Sequence, residues 1–282
     1  MILKEIYSFI KNKYELSEPD ARALIEFQLQ KDFSLIIGSQ EEISKQDLSL
    51  LEREAYSLQQ GYPLSYILNE HFFYKHKFYV DNNVLIPRTE TEYLVEFIIK
   101  DLKTQGRTPQ LIMDIGAGSG CIGISLLLEY PQAKVFFVED SPGAVAVTLR
   151  NLRNHKIAEN RYAISSSLTE AQSLLAGQKL DLIVSNPPYI ASEDQRVDDN
   201  VKLYEPPHAL YADDEGYAYL KSWSIWSKNN IKSNGKIYFE FGEGQAEELG
   251  AYAEALGWSY KILKDQFQVD RFWCLDEEHK HG

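Results

Sequence analysis

The sequence predicts an α/β protein whose sheet is mostly parallel, preceded by a small helical domain. Three observations carry that expectation. From Leu111 onward, short apolar runs alternate with helical patterns, the arrangement of a parallel sheet with helices on both faces. The first sixty residues show helical periodicity without strands. The run Leu182-Ile183-Val184 is cut off by Pro187-Pro188, as a buried parallel strand would be at its carboxyl end. The 282 residues, 44% hydrophobic, suffice for one full core and a smaller one.

Ile2, Leu3, Ile6, Phe9 and Ile10 share one face of a first helix, and Ala21, Leu24, Ile25 and Leu29 one face of a second. Ser17 before Glu18-Pro19 is the start signal of that second helix. A third amphipathic segment runs from Lys45 to Gln59. Gly61-Tyr62-Pro63 breaks it, and aromatic, β-prone residues follow as far as Val80, which reads as a hairpin linking two domains. Asp81-Asn82-Asn83 is turn chemistry. Val84 to Arg88 then leads into a helix starting at Thr89 or Thr91, with Leu94, Val95, Ile98 and Ile99 apolar. Strands are expected at Leu111 to Ile115, Lys134 to Glu139, Leu180 to Ser185 and Lys236 to Phe241. Helices run into Glu129, from Pro142, around Tyr217 to Trp226 and after Gly244, and Trp258 to Leu263 pairs with Arg271 to Leu275. The expected boundaries are 1-70 for the helical domain, 71-86 for the hairpin linker and 87-282 for the sheet-bearing domain.

Composition narrows the function. Forty-two acidic residues against 29 basic ones give a net charge of -13, which opposes unaided binding to a phosphate backbone. Cys121 and Cys274 are the only cysteines, too few for a disulfide framework or a four-thiolate metal site. No apolar stretch approaches the roughly 20 residues that span a bilayer, and the N-terminus has no basic leader before a long apolar core. The expectation is a soluble, cytoplasmic monomer with no membrane or direct nucleic-acid partner.

Asp114-Ile115-Gly116-Ala117-Gly118-Ser119-Gly120 closes a strand and opens an apolar helix. Glycines there let a ligand lie directly against the backbone, although nucleotide, dinucleotide and sulfonium cofactors all use such turns. The spacing G-x-G-x-G, not G-x-G-x-x-G, favours the sulfonium cofactor. Glu139 ends the next strand, where a carboxylate can accept from both hydroxyls of a ribose; the alternative is a solvated acid ahead of the Pro142 helix.

Asn186-Pro187-Pro188-Tyr189 carries the chemistry. A planar NH2 group has two donors in a fork, and the Asn186 side-chain oxygen with the Pro187 backbone carbonyl offers two acceptors at matching spacing. The prolines hold them rigid, so positioning supplies much of the rate and no metal or nucleophile is required. Tyr189 can stack on the flat face of an amide or base. The tetrapeptide resembles the signature of class I methyltransferases that act on planar amide or amine nitrogens, a group that includes DNA adenine and protein glutamine methyltransferases.

The rest of the chain separates these relatives. Gly61 to Leu68, Phe72-Phe73-Tyr74, Leu85 to Glu92, Val201 to Pro206, His208 to Ala212, and Glu240-Phe241-Gly242 with Gln245 resemble the release-factor glutamine methyltransferases, the HemK or PrmC family. The resemblance covers nearly the whole chain. It implies five N-terminal helices, a hairpin linker and a Rossmann-like, seven-stranded class I methyltransferase domain. It further implies transfer of a methyl group from S-adenosylmethionine to the glutamine of the Gly-Gly-Gln motif in peptide chain release factors. On the same basis Gly116, Ala117, Gly118, Ser119, Gly120 and Glu139 hold the cofactor, and Asn186 touches cofactor and substrate. Pro187, Pro188 and Tyr189 complete the glutamine pocket, and Asp114 either supports the methionine end of the cofactor or is structural. A protein-loop substrate suits the acidic charge, since it needs no basic groove.

Relatives place Gly-Asp or Ser-Asp after the third strand, where the acid faces the adenine amine. Here Ser165-Ser166-Ser167-Leu168-Thr169-Glu170 stands in that stretch, and either Ser167 or Glu170 takes over. Arg88 and Glu90 read as ordinary surface pairing, and Glu193, Asp194, Asp198 and Asp199 as a solvated loop. Two other readings stay open: a methyltransferase acting on an exocyclic amine of DNA or RNA or on a ribosomal protein, and a non-catalytic relative.

Overall fold

The computed structural model, which describes residues 1–277, divides into two units: Met1–Glu70 with Asp198–Tyr204, and His71–Val197 with the chain from Glu205 onward. The first unit holds helices α1 (Leu3–Tyr14), α2 (Glu18–Leu29), α3 (Phe33–Gly38), α4 (Lys45–Gln59) and α5 (Leu64–Leu68). Their apolar faces meet in one cluster that includes Ile6, Ile10, Leu24, Ile25 and Leu51, as the 3.6-residue spacing requires. Ser17 Oγ accepts from the Asp20 amide at 3.2 Å and Ser44 Oγ from the Asp47 amide at 3.0 Å, capping α2 and α4 at their exposed first-turn N–H groups. Ile2 stands outside α1 and bridges to Glu42 instead. Neither α3 nor α5 is long enough for periodicity to reveal it.

Residues 198–204 lie within the stretch expected to belong to the sheet-bearing domain, yet they pack with the helices. The reason is local. The Tyr204 hydroxyl donates to the Gln60 carbonyl at 3.0 Å, and its ring meets Tyr62 edge-on with centroids 5.2 Å apart.

The second unit opens with an antiparallel hairpin, β1 (His71–Phe73) and β2 (His76–Phe78), that buries Phe73 and Phe78 completely. Helix α6 (Thr89–Thr104) follows, then β3 (Leu111–Ile115), α7 (Cys121–Glu129), β4 (Lys134–Val138), α8 (Pro142–Asn154), β5 (Tyr162–Ser165), α9 (Leu168–Leu175) and β6 (Leu180–Ser185). After α10 (Asp199–Tyr204) of the first unit come α11 (Ala218–Lys228), β7 (Ile231–Glu240), α12 (Ala246–Ala255), β8 (Trp258–Lys264) and β9 (Asp270–Glu277). The seven strands run in the order β5-β4-β3-β6-β7-β9-β8. The first five are parallel, and β9 runs antiparallel to both β7 and β8. Alternate residues of the strands feed opposite cores: Ile112, Phe137 and Leu182 one, Met113, Phe136 and Ile183 the other.

Strand β7 begins five residues before the expected Lys236. Leu180 pairs with Ile231 and Leu182 already with Lys236, so an irregularity absorbs Ser233-Asn234-Gly235, residues that disfavour a strand on their own. Among the described residues no helix is long and apolar enough to cross a membrane. The chain turns back on itself between β3 and β6: β4 and β5 lie to one side, β7 to the other. The crevice at the carboxyl ends of β3 and β6 is therefore the topological switch point, where sheets of this kind bind ligands.

Candidate active site

Asp114 pairs with Val184 across the β3–β6 ladder, so the glycine loop and the Asn186 motif leave the sheet side by side. Gly116, Gly118 and Gly120 have φ of 70°, 55° and 77°, the left-handed region in which a side chain is strained. In that shape the Gly118 amide donates to Glu139 Oε2 at 2.8 Å, while Glu139 Oε1 accepts from the Ser141 amide at 3.0 Å. Burial raises the Glu139 pKa, and the two backbone donors oppose that shift. Each oxygen keeps lone pairs for further donors.

These residues face a cavity of about 310 Å³ whose wall includes Gly116, Ala117, Gly118, Ser119, Glu139, Asn186 and Pro188. Asp114, Gly120, Pro187 and Tyr189 do not line it. Asp114 lies beneath the loop, 1% exposed, where its Oδ2 accepts from the Gly123 amide at 2.9 Å and its Oδ1 has no partner. Burial pushes this carboxyl up to about 7. A raised folded-state pKa means a contribution to stability that is full in acid and lost as pH rises through about 7. Asp114→Asn, which keeps an acceptor for Gly123, should therefore gain on the parent protein by on the order of 1–3 kcal/mol between pH 5 and pH 8. Denaturant melts at the two pH values check it; a gap moving the other way refutes it.

Asn186 Nδ2 donates to Thr91 Oγ1 at 3.0 Å, and the Thr91 hydroxyl donates to Glu240 Oε2 at 2.7 Å. The Tyr189 hydroxyl donates to Glu240 Oε1 at 3.1 Å. Tyr189 thus points its hydroxyl at a buried carboxylate, and burial beside Glu240 pushes its pKa up, keeping it a donor. Gln245 ties the same residue from behind, its Nε2 donating to the Tyr189 carbonyl at 3.2 Å and its Oε1 accepting from Gly242.

Ser166, Ser167 and Leu168 also line the cavity, and Glu170 does not. The Glu170 carboxylate accepts from the Ser166 amide and hydroxyl at 2.7 and 2.9 Å, and its own amide donates to Ser167 Oγ at 3.2 Å. Ser167 thus caps α9, and Glu170 is tied back to Ser166 ahead of the helix, at the spacing Ser-x-x-Glu. Arg88 departs from the expected surface pairing: it meets Glu205 at 2.6 Å, and the Glu205 side chain is 3% exposed. Its other oxygen accepts from the Ile86 amide at 3.0 Å. Thr91, named as a helix start, and Glu240, named in the family resemblance, were not expected in the site, nor were Tyr219 and Trp223; all but Glu240 line the cavity. Trp223 stands so near Gly116 that a Cβ there would come within 3.1 Å of its ring.

A family model described as methyltransferase small domain matches residues 88–204. The chain is 36% identical over 231 residues to the release factor glutamine methyltransferase of Flavobacterium psychrophilum, covering 80% of each protein. It is 34% identical over 246 residues to the enzyme of that name from Enterococcus faecalis, covering 84% of this chain and 83% of that one. It is also 35% identical to the bifunctional methyltransferase of Rickettsia typhi, of which it spans about half the length, 48%. The ribosomal protein L11 methylase of Lactobacillus delbrueckii subsp. bulgaricus shares the fold, with a TM-score of 0.50 at 15% identity over 71% of this chain and 84% of that one.

Proposed function

Because the chain belongs to the release factor glutamine methyltransferases, we propose that its cavity brings S-adenosylmethionine together with the Gly-Gly-Gln glutamine of a peptide chain release factor. The observation that carries the reading is the emergence of the glycine loop and Asn186 from neighbouring strands into one cavity. The residues fit the cofactor: a loop bare of bulky side chains, a carboxylate with spare lone pairs, and Ser166 to Leu168 beside it at the end of β5. Glu139 would accept the ribose hydroxyls while Gly116 to Ser119 lie against the cofactor. When bound, it supplies an electrophilic methyl group on a cationic sulfur, a charge that Glu139 and Asp140 in the wall suit.

An amide nitrogen is a poor nucleophile because its lone pair is shared with the carbonyl. Asn186 Oδ1 would engage one amide hydrogen and the carbonyl of Pro187, which sits between the wall residues Asn186 and Pro188, the other, aiming the nitrogen so that orientation lowers the barrier. Cys121, also in the wall, supplies no competing nucleophile, since burial pushes its thiol up to about 12. The acceptor is a protein loop, in keeping with a net charge of -13. Incubation with radiolabelled S-adenosylmethionine should label a release factor and leave unlabelled a version whose Gly-Gly-Gln glutamine is alanine. Equal label on both would overturn the assignment.

A further inference from the structure

The hydrogen bonds behind Asn186 have a direction that chemistry imposes. Glu240 is 1% exposed and Thr91 2%, so neither has water to satisfy it. Burial raises the Glu240 carboxyl to about 7, while Thr91, Arg271 and Tyr189 favour its ionised form; above that pH the carboxylate only accepts, and a threonine hydroxyl carries one proton. With that proton committed to Glu240 Oε2, Thr91 Oγ1 can only accept from Asn186. The NH2 end of the Asn186 amide is thereby drawn to Thr91, and Oδ1 is left to accept from elsewhere. Were the amide reversed, Oδ1 would face an oxygen with no proton to give, and an NH2 group would meet the NH2 group of the substrate.

We propose that Thr91 and Glu240 are positioning residues for methyl transfer, fixing the Asn186 amide with its carbonyl oxygen toward the substrate nitrogen. The inference rests on the reading of Asn186 as acceptor for the glutamine amide. Glu240 serves the motif at both ends, since its second oxygen holds the Tyr189 hydroxyl. Three separated segments meet here: the third residue of α6, the turn after β6 and the last residue of β7. The aim of the amide is set by the body of the fold and not by the turn alone.

The test is a double-mutant cycle between positions 91 and 186, read as kcat and KM for the release factor, with cofactor affinity measured separately. Thr91→Val keeps the shape and removes the hydroxyl; it should lower kcat by about tenfold or more and leave cofactor affinity within about twofold. Thr91→Ser, which restores the hydroxyl, should recover most of kcat. Added to Asn186→Ala, Thr91→Val should cost less than about twofold more, because its effect passes through a side chain already gone. Should Thr91→Val not fold, Thr91→Ala removes the same hydroxyl without a branched methyl, and the same pattern is expected. Parent-like kcat in the position 91 variants, or losses that multiply in full with Asn186→Ala, would overturn the positioning role while the amide clamp stands. Parent-like turnover in Asn186→Ala alone would remove the clamp and this proposal together.

Discussion

Asn186→Ala should lower kcat by roughly three orders of magnitude while cofactor affinity and melting temperature change little. The argument is one of what the alanine deletes. Asn186 brings the only side-chain oxygen of its tetrapeptide into the cavity wall, and among the described residues its amide makes a single hydrogen bond, to Thr91. Loss of that bond costs the fold about 1 kcal/mol, whereas loss of the acceptor releases one of the two substrate hydrogens and with it the orientation of a weak nucleophile. Asn186→Asp should fare little better. It keeps an acceptor toward the cavity, but its other oxygen faces Thr91, whose proton already goes to Glu240, so two acceptors oppose each other. Methyl incorporation measured beside calorimetric cofactor binding separates the two effects. Turnover within about tenfold of the parent in Asn186→Ala would end the clamp reading.

The second large effect is on the cofactor. Glu139→Ala should weaken S-adenosylmethionine binding by about 10- to 100-fold, with a smaller change in kcat at saturating cofactor. In the proposed site Glu139 would be shared between ligand and scaffold, because it receives the Gly118 and Ser141 amides; the substitution would remove the proposed ribose acceptor and leave two half-buried donors without that partner. Glu139→Gln is not a mild substitute, since its NH2 group must face one of those N–H groups. The pH dependence carries a sign. Burial raises the folded-state pKa of Glu139, so its share of stability is full in acid and lost as pH rises through that pKa, whereas accepting ribose hydroxyls needs the ionised form. Cofactor affinity should therefore fall on acidification, and in Glu139→Ala that dependence should flatten. An unchanged pH profile in the variant would show that another group governs binding.

The parts of this site that can be read from sequence are those whose meaning is local. Positive φ at Gly116, Gly118 and Gly120 follows from glycine itself, and two prolines after an apolar run announce a strand end whatever lies elsewhere. The link between Thr91 and Glu240 is silent in sequence because it is a contact between residues 149 apart. A threonine near a helix start and a glutamate at a strand end each have an ordinary local explanation, and only the fold joins them. Asp114 and Glu170 show the converse. Both are acids beside residues proposed to bind the cofactor, yet one braces the first turn of α7 through Gly123 and the other ties back to Ser166 ahead of α9, because an unpaired backbone donor claims a nearby carboxylate. The same holds for Arg88, whose buried partner Glu205 lies 117 residues away. Helix α10 went to the first unit through a tyrosine pair that no periodicity encodes.

The ladder between β3 and β6 has a consequence for how this protein can change over time. Asp114 opposite Val184 sets where the loop after one strand stands against the motif after the other. A slip of one residue would displace Asn186 by about 3.3 Å and turn every side chain of β6 to the wrong face. The spacing between the glycine loop and Asn186 is thus a lattice constant of the sheet, beyond the reach of any point mutation at the surface. Drift in what the protein accepts has to come from the segments around the mouth of the cavity, while the register behind them stays fixed.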